Sequence, residues 1–278
     1  MRTLSLAHLT LVGSTPLQLI DHATEAGFEH IGMRIIAPTA DTRISSPVED
    51  PALRATILRR LADAGLKVLD IEALWLSAEF DPAPVERAFA FGAEIGARYA
   101  IVAGNDPDRD RLLRNLDAVC QLGAPFGIQI LLEFIPYTEV RTIRDAANCL
   151  AAIDCPNTGI LVDALHLSRS GGSVTDVVAD LSRVQFLHLC DASAIVPRTT
   201  ELLRDEARRN RLYPGQGELA LRELVAATPA SIPIAIEAPH AGLADRPFGE
   251  QARLAREATI RLLQEVDGMK SGEQEHGR

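Results

Sequence analysis

Residues 128–134, IQILLEF, residues 158–166, TGILVDALH, residues 184–191, VQFLHLCD, and residues 232–240, IPIAIEAPH, decide the fold of this chain. Each is a short, nearly all-apolar run of the kind that forms a strand buried on both faces. Each is also broken near its carboxyl end by an acid or an imidazole: Glu133, then Asp163 with His166 three residues on, then His188 with Asp191, then Glu237. A charged group in such a run is costly to bury unless it is paired or bound to a cation. In a strand alternate side chains share a face, so Leu131 goes with Glu133, Leu161 with Asp163, Phe186 with His188 and Ala235 with Glu237. Four breaks at matching strand positions point to one shared ion.

Working outward, the same sentence repeats along the chain. A strand near Leu4–Leu11 precedes a helix that Ser14, Thr15 and Pro16 open and Gly27 closes. Strands follow at 30–35, 67–76 and 98–104, with helices from Asp50–Pro51 to Gly65, at 81–96 and at 108–127. After each of the four quoted strands comes a helix, at 142–154, 173–181, 217–227 and 248–266. Eight strand–helix units in this length predict an α/β fold, a single-domain (β/α)8 TIM barrel over 1–268, rather than an open doubly wound sheet. The span 269–278 is polar and reads as a disordered tail. Ala192–Gln216 reads as a long βα loop, and in a barrel such loops lie over the catalytic face.

Composition narrows the function. The 278 residues carry 28 basic and 38 acidic side chains, a formal charge of −10, which gives no support for a nucleic-acid partner, since that needs clustered Lys and Arg. No GxGxxG follows the first strand and no GxxxxGK[ST] occurs, so dinucleotide and Walker-type phosphate binding have no support. Four cysteines without a CxxC spacing read as reduced packing residues. The amino-terminal apolar run is interrupted by His8 and lacks a small-residue cleavage site, and no run reaches the ~18 apolar residues of a spanning helix. The expectation is a cytoplasmic protein with no membrane partner. An aromatic content of 4% leaves few stacking platforms and disfavours a large glycan.

Two glutamates, an aspartate and a histidine form an N/O ligand set that suits Mn²⁺, Mg²⁺ or Co²⁺, with Zn²⁺ also feasible where a position stays open. The competing reading is a set of buried ion pairs with helix-borne Arg or Lys, but no strand supplies basic partners at this depth. Asp163-x-x-His166 is the most specific local piece. The aspartate would reach the ion while His166, just past the strand, either faces substrate or serves as a cap or loop histidine.

The segments LLEF, VDALH, HLCDA, RLYPGQGEL and IAIEAPH resemble the sugar phosphate isomerase/epimerase family with the xylose-isomerase-like TIM barrel. Its members include ketose 3-epimerases, hydroxypyruvate isomerase and keto-inositol dehydratase. The resemblance implies metal ligands at Glu133, Asp163, His188 and Glu237. It also implies substrate contacts from His166 and from Arg211, which stands four residues before the first glycine of Pro214–Gly215–Gln216–Gly217. The implied chemistry is removal of a proton next to a carbonyl to give an enediolate, with Glu133 and Glu237 on opposite sides as catalytic acid and base. The implied substrate is a small keto sugar or hydroxy-keto acid, and the implied assembly a dimer or tetramer.

The second strand departs from the family, ending on Met33–Arg34 where many relatives carry an acid. Arg34 would suit a substrate carboxylate or phosphate, or else a salt bridge. His8, Glu72 and Trp75 either line the same cavity or pack within the barrel. Asp191 is expected to hydrogen-bond a ligand histidine. The same metal site could end in elimination, as in dehydratases of keto-inositol or dehydroshikimate. An endonuclease IV-like nuclease needs further histidines on earlier strands, and the third and fourth end instead on Trp75–Leu76 and Gly104–Asn105.

Overall fold

Eight short parallel strands close into one barrel in chain order: β1 (Leu4–Leu6), β2 (His30–Arg34), β3 (Lys67–Leu76), β4 (Tyr99–Gly104), β5 (Gln129–Glu133), β6 (Thr158–Asp163), β7 (Val184–Leu189) and β8 (Ile234–Ile236). Between and after them run α1 (Pro16–Glu25), α2 (Pro51–Ala64), α3 (Ala83–Glu94), α4 (Arg109–Gly123), α5 (Ile143–Ala151), α6 (Ala164–Arg169), α7 (Val174–Ala179), α8 (Thr200–Arg209), α9 (Leu221–Ala227) and α10 (Phe248–His276). This computed structural model describes residues 2–37, 42 and 44–276. The fold is the single-domain (β/α)8 barrel that the alternation predicts.

The helix boundaries follow the caps. At α1 the Thr15 hydroxyl accepts the Gln18 N–H while the Gln18 side chain accepts the Thr15 N–H, with Pro16 in the first turn, which satisfies two donors the helix would otherwise orphan. At α2 Asp50 accepts from Ala52 and Leu53, and Gly65 ends the helix at φ +63°, a left-handed cap that glycine adopts without strain. Odd and even strand residues part as the pleat requires. Leu132, Val162, Leu187 and Ile236 face the helices, and Leu131, Leu161, Phe186 and Ala235 fill the barrel interior. Tyr99 stacks on Phe186 in that plug, with ring centroids 5.6 Å apart. The plug lies two residues below the four acid and imidazole positions on the same strands, so it is the floor of the site.

Four local differences from the sequence reading matter. β1 stops at Leu6, and His8–Leu11 form a 3-10 turn. β6 stops at Asp163 because its carboxylate accepts the His166 N–H at 2.9 Å and caps α6, which places His166 on a helix. Ala192–Gln216, expected as loop, holds α8, capped by Thr199. Leu202, Leu203 and Ala207 are its apolar residues, a stripe too narrow to stand out from the polar loop around it. α10 runs to His276, through most of the span set apart as a tail, while 277 and 278 lie outside the described residues. All four cysteines are free, and no helix among the described residues is long and apolar enough to cross a membrane.

Candidate metal centre

Glu133, Asp163 and His188 end or nearly end β5, β6 and β7, and Glu237 follows β8 by one residue. These strands are consecutive neighbours, with Asp163 opposite His188 and His188 opposite Ala235. One ligand atom from each of the four residues lies within 4.8 Å of the others, and all four side chains are buried. Inside this cluster Glu133 Oε1 and both ring nitrogens of His188 have no hydrogen-bond partner. Buried polar atoms are nearly always paired, and the orphaned Glu133 Oε1 and one ring nitrogen of His188, converging with the Asp163 and Glu237 carboxylates, form a donor set that fits a divalent cation.

Arg211 stands behind the cluster, only 2% exposed. Its Nη1 donates to Asp163 Oδ2 at 2.6 Å and to the Glu237 carbonyl at 2.9 Å, its Nη2 lies 2.9 Å from Glu237 Oε2, and its Nε donates to the Ala207 carbonyl at 2.7 Å. The strands supply no basic partner, as expected, but the loop after β7 supplies this one. Arg211 therefore spends most of its donors on two ligand carboxylates and the backbone, rather than being wholly free for substrate.

One guanidinium does not neutralise three carboxylates, and the site is electrostatically uneven. Burial, then the charges of Glu237 and Asp163, push Glu133 well above the ordinary carboxylate range. Burial would raise Glu237 too, but Arg211 and His188 outweigh it and hold that carboxylate below its usual range. Burial works to lower His188, yet Glu237, 3.6 Å from its Nδ1, and then Glu133 and Asp70 hold the imidazole up at about 10. His166 goes the other way. Burial lowers it to about 4, against the pull of Asp163, so its ring is neutral near pH 7.

A cavity of about 290 Å³ opens above the cluster, lined among others by Arg34, Glu72, Trp75, Tyr137 and His166. A larger cavity of about 520 Å³ sits at the opposite end of the barrel, between Thr3, Phe28–His30 and α10. It holds none of the clustered ligands, so chemistry selects the smaller one. His166 Nε2 is 4.0 Å from Glu133 Oε1, and its Nδ1 is unpartnered. Tyr137, which sequence reasoning missed because it lies beyond the strand in the β5 loop, packs edge-on against His166 with centroids 5.9 Å apart. Trp75 is half-buried at the wall.

Two expected site residues turn out to be occupied elsewhere. His8 Nδ1 accepts the Arg34 N–H at 3.0 Å, so its Nε2 carries the proton and donates to the Ser14 carbonyl at 3.1 Å. The ring is spent on backbone and does not line the cavity. Asp191 makes no hydrogen bond to His188. Its oxygens accept the N–H groups of Ala192, Gly215 and Leu219 at 2.9–3.0 Å, because the turn after Tyr213 folds back onto it. Gly217 lies so close that a Cβ there would sit 2.4 Å from the Ala192 carbonyl. Glu72, by contrast, lines the cavity while accepting the His8 N–H at 2.7 Å and the Arg34 Nη2 at 3.2 Å.

A closed parallel barrel whose strands bring acids and a histidine together at their carboxyl ends is a TIM barrel with its candidate site on the face where such barrels carry their chemistry. The chain belongs to the xylose isomerase-like TIM barrel family, whose model matches residues 20–264. Among curated proteins it is similar to the inosose isomerase of Halalkalibacterium halodurans, 28% identical over 113 residues, which is 40% of this chain and 38% of that protein's length. The chain thus spans well under half the length of the curated relatives it matches. Among solved structures it resembles the IOLI protein, crystallised with a zinc atom, at TM-score 0.75, 18% identity and coverage of 96% of this chain and 99% of the other. It also resembles D-allulose 3-epimerase from Methylomonas sp. in complex with D-allulose, at TM-score 0.69, 17% identity and coverage of 94% and 96%.

Proposed function

We propose that this chain is a divalent-metal-dependent isomerase or epimerase of a small keto sugar or hydroxy-keto acid. What carries the reading is the convergence of Glu133, Asp163, His188 and Glu237 within 4.8 Å above an apolar floor, in a family whose curated relative is an inosose isomerase. These four residues would hold the cation, Mn²⁺, Mg²⁺, Co²⁺ or Zn²⁺. A bound dication supplies Lewis-acid polarisation of the substrate carbonyl and stabilises the charge of the enediolate.

The chain's own groups do the rest. Glu133 and Glu237 reach the cavity from different sides of the ring of strands. One takes the proton from the carbon next to the carbonyl, and the other returns it at the opposite face or the neighbouring carbon. Arg211 keeps Glu237 and Asp163 oriented and lines the cavity beside them. Neutral His166 offers a ring nitrogen to a substrate hydroxyl. Trp75 and Tyr137 wall the site and exclude water, which strengthens every charge interaction inside it.

Metal analysis of the purified protein, followed by incubation of the loaded enzyme with a ketose panel in D₂O, tests this. Deuterium incorporation without loss of water is the expected result. A new enone absorbance instead assigns elimination, and no metal at any pH removes the reading.

A further inference from the structure

Resting on that function, we infer that the substrate carries an oxyanion, a carboxylate or a phosphate, which the arginines at the cavity mouth receive. Four arginines line this one cavity: Arg34, Arg208, Arg209 and Arg211. The inner charges cancel. The three ligand carboxylates are offset by Arg211 and a dication, and Arg34 lies against Glu72. Arg208 and Arg209, in the last turn of α8, are exposed, and among the described residues neither has an ion pair or a side-chain hydrogen bond to a partner. Arg204, one turn earlier, lies over the Tyr137 ring, its guanidinium carbon 5.6 Å from the centroid, and makes no ion pair among the described residues. The mouth thus gathers three arginines without an ion pair in a chain whose net charge is −10, whereas several other surface arginines are paired, as Arg54 is with Glu94, Arg87 with Glu49 and Arg222 with Glu265.

Arg34 is left partly unmade as well. Its side chain is 20% exposed, one Nη2 contact reaches Glu72, and its buried Nε has no partner. A buried guanidinium N–H without an acceptor is costly, and an incoming carboxylate or phosphate would satisfy it with the forked geometry arginine favours. The wall is rigidly placed. Arg169 pairs with Glu206 of α8 through two nitrogens at 2.7 and 2.8 Å, and Arg211 holds the Ala207 carbonyl. An uncharged cyclitol or hexose would leave this wall unused.

The test compares matched ketones on the metal-loaded enzyme by calorimetry: dihydroxyacetone as the neutral probe, hydroxypyruvate as the carboxylate and dihydroxyacetone phosphate as the phosphate. At least one anion should bind about tenfold more tightly or better than dihydroxyacetone, the factor one charge-assisted hydrogen bond supplies, and which anion wins identifies the group. In R208Q/R209Q, where both positions are exposed and folding is not at stake, that preference should shrink to about twofold or less. The control R222Q/R253Q, which removes the same charge from the far helices, should keep it. Equal binding of all three ketones, or loss of the preference in the control, overturns the inference. Metal uptake and deuterium exchange measured on the same samples report separately on the isomerase reading, so either can fail alone.

Discussion

Replacing Arg211 by Met removes a buried guanidinium while keeping side-chain length. In the metal-free protein the loss strands Asp163 Oδ2, Glu237 Oε2 and the carbonyls of Ala207 and Glu237, all now within 2.6–2.9 Å of an arginine nitrogen. Breaking a buried ion pair by deleting one partner costs about 3–5 kcal/mol. For a domain of this size each kcal/mol moves the melting temperature by roughly 2–4 °C, so the metal-free variant should melt roughly 6–20 °C below wild type. Metal should then reverse more of the loss than it adds to wild type, because a dication supplies the positive charge the two carboxylates have lost. Differential scanning calorimetry with and without saturating Mn²⁺ reads both effects. A melting shift below about 3 °C, or the same metal-induced gain in both proteins, would refute the placement of Arg211 as the electrostatic backing of the ligands.

Glu133→Gln and Glu237→Gln keep shape but lose basicity, and each should abolish deuterium exchange into a bound ketose, with a metal affinity lowered by about tenfold or more relative to wild type when measured by chelator competition. Metal affinity should rise with pH between about 6 and 9, since His188, held at about 10 in the metal-free site, must shed a proton to ligate; calorimetry in buffers of different ionisation enthalpy should show proton release. That same group, raised from an ordinary value near 6.5, gives stability that is fully present below about 6.5 and fades as pH climbs to about 10, so the metal-free melting temperature should fall across that window while the metal-loaded one falls less. Gly217→Ala puts a Cβ 2.4 Å from the Ala192 carbonyl and 2.5 Å from Asp191 Oδ1, and should cost about 1–3 kcal/mol in urea unfolding.

The barrel was legible because its signals are local and repeated: apolar strands alternate with helices eight times, several of those helices open on a side-chain cap or close on a glycine, and period-two parity fixes which residues face inward. Glu133, Asp163, His188 and Glu237 were legible for the same reason, each a lone polar break two residues above a plug residue. What stayed hidden depends on chain folding back over itself. α8 carries its sequence signal in a Thr199 cap and a narrow apolar side of Leu202, Leu203 and Ala207, set inside a stretch that otherwise reads as loop. Tyr137 reaches the cavity only because the β5 loop turns inward. Asp191 looks like a histidine's partner by proximity in sequence, whereas the turn at Gly215–Gly217 claims its oxygens; His8 is claimed in the same way by the Arg34 and Ser14 backbone. In both cases backbone donors and acceptors won, and nothing in side-chain pattern records where a backbone N–H will arrive.

Arg211 joins the two halves of this site into one unit. Its guanidinium faces the ligand carboxylates, while its Nε holds the carbonyl of Ala207, one residue before Arg208 in the last turn of α8. The antiparallel bridges Asp191–Leu212 and Asn210–His240 fasten the segment on either side of it to the ends of β7 and β8. Filling the metal site therefore relieves Arg211 of part of its charge-pairing task without freeing the backbone that carries the mouth arginines. The physical consequence is directional: the mouth can stay formed whether or not metal is bound, whereas a metal site without Arg211 loses both its counter-charge and the anchor of the wall above it. An oxyanion-bearing ketone should accordingly bind the metal-free wild type weakly but measurably at the mouth, and should lose that binding in R211M even at full metal occupancy.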